Sequence, residues 1–114
     1  MPTVSAVQIR FAAKNKLIDR DVVVLSKRNK DEVEWVSEDN QSYTVRFLKH
    51  TPFHTHDFHV PANDYRSSGP PLAKATECYQ CSYESPVAGH AEHYKYGICV
   101  GNKIIVYAEV VIKP

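Results

Sequence analysis

The chain has 114 residues and a formal charge of +1 at pH 7 with its histidines neutral. That length supports one domain around a single core, and so balanced a charge excludes the footprint of a nucleic-acid binder or of a protein held on an acidic membrane surface. Its three cysteines cannot all pair within one chain, and no apolar run reaches the length of a membrane-spanning helix.

Met1-Pro-Thr-Val-Ser-Ala6 has neither the basic region nor the apolar stretch that opens an export signal. The expectation is a cytoplasmic protein with reduced thiols, or a periplasmic one if the chain is a mature form. Val4 to Phe11 alternates, with Val7, Ile9 and Phe11 on one face, and predicts a first strand. Lys14-Asn-Lys16 suggests a turn. Asp21 to Ser26 is a short β-branched apolar run, which predicts a strand buried on both faces. Lys27, Arg28 and Lys30 fall in the polar connection that follows, balanced by Asp19, Asp21, Asp31 and Glu32, and read as a solvated rim.

From Asp31 to Phe47 two alternating runs flank a polar turn. Val33 and Trp35 share one face of the first; Tyr43, Val45 and Phe47 share one face of the second. Glu32, Glu34, Thr44 and Arg46 point the other way, the pattern of half-buried strands. Ser37-Glu-Asp-Asn-Gln-Ser42 is turn-forming in composition. Trp35 is expected in the core, with Tyr43, Val45, Phe47, Tyr96 and Ile98.

Lys49 to Glu92 carries Pro52, Pro61, Pro70, Pro71 and Pro86, and all six histidines: His50, His54, His56, His59, His90 and His93. It reads as a long Pro/His-rich insertion at about residues 49–75, with a hidden strand near Cys78–Tyr83 and room for a short helical turn near Pro61–Tyr65 or Pro71–Thr76. His93 to Val100 alternates strictly, Gly101-Asn102 is a two-residue hairpin signal, and Lys103 to Tyr107 returns as a strand. Glu109 to Lys113 ends the chain in extended form. Short strands between turns, with no helical period, predict a single all-β domain over residues 1–114: an antiparallel Greek-key β-sandwich, with an immunoglobulin-like sandwich as the alternative.

The order of these residues resembles the cupredoxin family. It runs from an early strand to Val33, Trp35, Ser37 and Asp39, then Tyr43-Thr-Val45, then Gly89, Tyr94 and Tyr96, then a final strand. The resemblance covers most of the chain in outline and implies a cupredoxin-like sandwich. Copper-binding members carry a His just after the Trp strand, and a Cys and a second His after the Tyr-x-Tyr. Here Tyr43 stands where the first His belongs and Ile98 where the Cys belongs, and the loop after it is reduced to Gly101-Asn102. Cys99 is one residue off, which in a strand turns its side chain to the other face. The resemblance therefore implies the fold without a type 1 copper centre, which needs two His and a Cys converging.

Other metal patterns remain. His54-Thr-His56 puts two imidazoles on one face of an extended segment, with His59 close behind, suited to copper, nickel or zinc. The bland reading is an exposed loop whose Phe53 and Phe58 plug the end of the sandwich. Cys78-Tyr-Gln-Cys81 lacks the second pair of a zinc ribbon, although Cys99 with His90 or His93 could complete four ligands. A redox role would want the first Cys at a helix start, and the context is extended. No Gly-x-Ser-x-Gly and no phosphate-cradling glycine loop occurs.

The expected function is that of a non-enzymatic module binding another protein or a small ligand, with no cofactor, nucleic acid or membrane partner, acting as a monomer. The alternative is a metal-binding protein using His54, His56 and His59 or Cys78 and Cys81. Any binding is expected in Lys49–Pro71, where Phe53 and Phe58 offer apolar anchors unless the core consumes them.

Overall fold

The computed structural model describes residues 3–10, 18–72 and 92–113. Among the described residues there are eight strands: β1 (Val4–Ile9), β2 (Val22–Ser26), β3 (Glu32–Ser37), β4 (Tyr43–Phe47), β5 (Asp57–Val60), β6 (Tyr65–Ser67), β7 (Glu92–Val100) and β8 (Lys103–Lys113). They form a three-stranded sheet, β1-β3-β6, and a five-stranded sheet, β2-β8-β7-β4-β5. No helix occurs among the described residues. The predicted sandwich is present, with two parallel pairs, β1 with β3 and β2 with β8, in a framework otherwise antiparallel.

Alternation decides the core. Val33 and Trp35 of β3, and Tyr43, Val45 and Phe47 of β4, are buried, as are Tyr96 and Ile98 of β7. The intervening Glu34, Thr44 and Arg46 are only partly covered. Trp35 is the hub of an aromatic cluster, with ring centroids 5.1 Å from Phe58, 5.7 Å from Tyr96 and 6.4 Å from Phe47. The Tyr96 and Phe47 contacts are edge-to-face, and such pairs add roughly 0.5–1.5 kcal/mol each beyond the area they bury.

The Asp21–Ser26 expectation needs correction, and three points that the sequence left open are decided. The Asp21–Ser26 run is not buried on both faces. It forms β2 at the edge of the larger sheet, where Val23 and Leu25 face the core while Val22 and Val24 are 48% and 52% exposed. A continuous β-branched run suits either environment, and only its place in the sheet decides. The Pro/His-rich segment after Lys49 contains two strands that alternation did not mark. It contributes β5, paired with β4, and β6, paired with β3, so it passes from one sheet to the other. No helical turn forms at Pro61–Tyr65; Asp64 N donates to Pro61 O (3.2 Å), with Asn63 at a positive φ of 55°, and β6 follows. Finally, Phe53 and Phe58 are 1% and 3% exposed. The core has consumed both anchors. The predicted strand near Cys78–Tyr83, the turn at Lys14–Lys16 and the helical turn at Pro71–Thr76 lie wholly or largely outside the described residues, as does Phe11.

The basic turn after β2 is held by one carboxylate. Asp31 accepts from the backbone N–H of Ser26 (2.9 Å) and of Thr3 (2.9 Å), joining that turn to the start of β1. These two bonds hold its pKa below the ordinary carboxylate value.

Candidate functional site

The β4–β7 ladder runs from Thr44 opposite Cys99 to Phe47 opposite Tyr96. It therefore defines two ends of the sandwich: one where β4 begins and β7 finishes, and one where β4 stops and β7 begins.

At the first end, Tyr43 is 1% exposed and its hydroxyl donates to the Asp39 carboxylate, at 2.9 Å to Oδ2 and 3.1 Å to Oδ1. Asp39 also accepts from Gln41 N (3.0 Å). Ser37 Oγ donates to Gln41 O (2.7 Å), and Ser37 N to Asp64 O (2.8 Å). This closes the Ser37–Ser42 turn onto the turn that leads to β6. Ile98 packs in the same core.

The two positions at which the resemblance would place copper ligands thus hold a hydrogen-bonded phenol and an aliphatic side chain. Neither supplies an imidazole or thiolate, so these residues do not fit a type 1 centre. Cys99 lies opposite Thr44, on the face away from Val45 and Ile98. It is fully buried there, and burial pushes its thiol pKa up while nearby Arg46 opposes the shift. Its burial has a local cause. The register shifts between Ile98 and Cys99, and Ile104 folds over Gly97, where a Cβ would lie only 2.9 Å from Ile104 Cγ2.

His54 and His56 are exposed in the connection between β4 and β5, and His59 is exposed on β5 opposite Thr44. The connection folds around Thr51, whose hydroxyl donates to Thr55 O (2.9 Å) and accepts from Phe53 N (3.1 Å), which tucks Phe53 inward. Among the described residues no three His, Cys, Asp or Glu side chains form a group that could hold a metal ion. Cys78, Cys81 and His90 lie outside the described residues.

The second end is different. β4 stops at Phe47 while β7 runs on to Glu92, and Leu48 N donates to Lys95 O (3.1 Å) before the chain bends away. The step between the strands leaves a pocket of about 260 Å³ lined by Leu48, Lys49, His50, His93, Tyr94 and Lys95. The Tyr94 hydroxyl is turned away to Glu92 Oε2 (2.7 Å). Burial, then Lys49 and His56, lower the pKa of His50. His93 Nδ1 is 2.9 Å from Glu109 Oε2.

Sequence reasoning missed this pocket. His50 and His93 belong to distant segments brought together by the β4–β7 pairing, and no local motif marks them. A usable signal existed in the end of the alternation at Phe47, which leaves Leu48 and Lys49 beside whatever strand pairs with β4.

No protein-family model matches the chain, and no curated protein matches its sequence. Solved structures do resemble it. A purple cupredoxin from Nitrosopumilus maritimus superposes with a TM-score of 0.59 at 8% identity, over 96% of this chain and 99% of that one. A mutant of amicyanin in the reduced Cu(I) form at pH 4 gives 0.57 at 14% identity, over 99% and 85%. A second amicyanin mutant, oxidized, gives 0.57 at 15%, over 96% and 82%. At these identities the likeness is one of architecture, and the chain is a cupredoxin-like β-sandwich.

Proposed function

We propose that this protein is a non-catalytic binding module: a cupredoxin-like sandwich that takes a small ligand rather than carrying electrons on a blue-copper ion. The observation that carries the reading is the pocket at the β4–β7 step, where an apolar floor meets four basic side chains. Small-molecule sites are concave, apolar and supplied with a few convergent polar groups, and loops on a rigid sandwich commonly hold them. The Tyr43–Asp39 bond and the buried Ile98 support the other half of the reading, because they use the copper end of the fold for structure.

Two measurements test it. Cupric ion added to the purified protein is expected to give no intense visible charge-transfer band; a strong blue colour lost on Cys99→Ser would overturn that half. Amide spectra recorded against a panel of small molecules of mixed charge are expected to give saturable shifts. A panel that shifts nothing anywhere would remove the small-ligand reading.

A further inference from the structure

Four side chains around the pocket carry nitrogen and none carries a carboxylate: Lys49, His50, His93 and Lys95. The carboxylates nearby are already engaged. Glu109 meets His93 and sits opposite Lys95 in the β7–β8 ladder. Glu92 accepts from Tyr94 and lies 3.7 Å from Lys27 Nζ. The Lys95 ammonium rests over the Tyr107 ring at 5.0 Å. Lys49 has no carboxylate partner among the described residues, and with His56 it bears on His50 as like charge. Among the described residues, the lining of this pocket therefore carries more cationic groups than carboxylates that meet them.

The floor is apolar. Leu48 is 41% exposed, while Tyr94 borders the pocket from the core side at 2% exposed, its hydroxyl held by Glu92. An apolar side chain left open at a concave surface gains roughly 25 cal/mol for each Å² a ligand covers. At about 260 Å³ the space lies just below the usual range for drug-sized ligands and suits one compact ring system.

We infer that the pocket binds small organic anions with a compact apolar body, the carboxylate meeting Lys49 and His50 and the apolar body lying on Leu48. This rests on the binding-module reading and names its ligand class. An anion there favours the imidazolium form of His50, which like charge and burial oppose in the free protein. Affinity therefore rises as pH falls toward the histidine range. His93 contributes less, because its Nδ1 already meets Glu109 Oε2 at 2.9 Å.

The test uses the full-length protein, followed by amide chemical shifts. Indole-3-acetate is the probe, with neutral indole-3-acetamide and cationic tryptamine as comparators. Indole-3-acetate is expected to shift Leu48–His50 and His93–Lys95 saturably, the amide to bind about tenfold more weakly or less, and tryptamine not at all. The affinity for indole-3-acetate is expected to rise between about pH 7.5 and about pH 5.5, a rise that His50→Gln removes. Lys49→Gln is expected to weaken the acetate alone, in a protein whose spectrum stays dispersed. Equal affinity for acetate and amide at the pocket would overturn the anion class while leaving the binding module standing. Saturable shifts confined to another surface would overturn this pocket but again leave the module. No shift with any of the three would overturn this inference, and the broader panel would then decide the module.

Discussion

At the Asp39 end of the sandwich, donors and acceptors meet one another; at the Leu48 end, ammonium and imidazole groups gather around an open pocket. Tyr43, Ser37 and Gln41 all meet oxygen atoms of the Ser37–Ser42 turn. Lys49 and His56 bear on His50 as like charge. Both ends belong to the same two strands, β4 and β7. The first has satisfied its polar groups internally, which fastens the fold and leaves little to offer a ligand. The second, among the described residues, gathers cationic side chains beside the exposed Leu48, which is the feature the proposed ligand would use.

The largest test concerns the core between the ends. Trp35→Ala is expected to cost on the order of 3–5 kcal/mol, as large-to-small core changes do, read as a drop in the urea midpoint. If the midpoint did not move, the ends and not the aromatic cluster would be holding the sheets together.

Tyr43→Phe comes next. It removes a hydrogen bond to a carboxylate and leaves Asp39 short of a donor, for an expected loss of about 1.5–3 kcal/mol. A neutral result would mean that the Asp39 end is not a fastener. Tyr96 sharpens the contrast. Its hydroxyl and the Trp35 Nε1 are buried without a hydrogen-bond partner, although the indole N–H lies close enough to ease the Tyr96 charge slightly. Tyr96→Phe is therefore expected to be neutral or stabilising, by up to about 1 kcal/mol. Burial pushes the Tyr96 pKa up to about 12 from 10.0. A raised folded value means that stability is intact below the unfolded value and is lost as pH rises through the folded one. The wild type should lose stability over that alkaline window, and Tyr96→Phe should lose less.

Asp31 carries the opposite sign. Its folded pKa is depressed by the Ser26 and Thr3 amides. Its contribution is present above the ordinary carboxylate value and disappears as pH falls through the folded value. Urea midpoints measured from about pH 5 to about pH 2 should fall more steeply in the wild type than in Asp31→Asn. The smallest effect belongs to the open end. Lys49→Gln should leave stability within about 0.5 kcal/mol, because no carboxylate holds that ammonium among the described residues. A clear loss of stability would make Lys49 structural and blur the distinction between the ends.

Period-two alternation alone determined that Val33, Trp35, Tyr43, Val45, Phe47, Tyr96 and Ile98 are core, since a strand's side chains change face at every residue. The same rule turned Cys99 away from that core. What alternation cannot express is which strand lies beside which. Val22 to Leu25 reads alike at an edge and in a centre, and only the order β2-β8-β7-β4-β5 leaves Val22 and Val24 in solvent. Asp57 to Val60 is too short to announce itself, and becomes a strand because β4 offers it a ladder. Lys49 and His50 meet His93 and Lys95 only because β4 ends where β7 still runs. That stagger is a property of pairing between distant segments, so the pocket exists in the tertiary structure and in no stretch of the sequence.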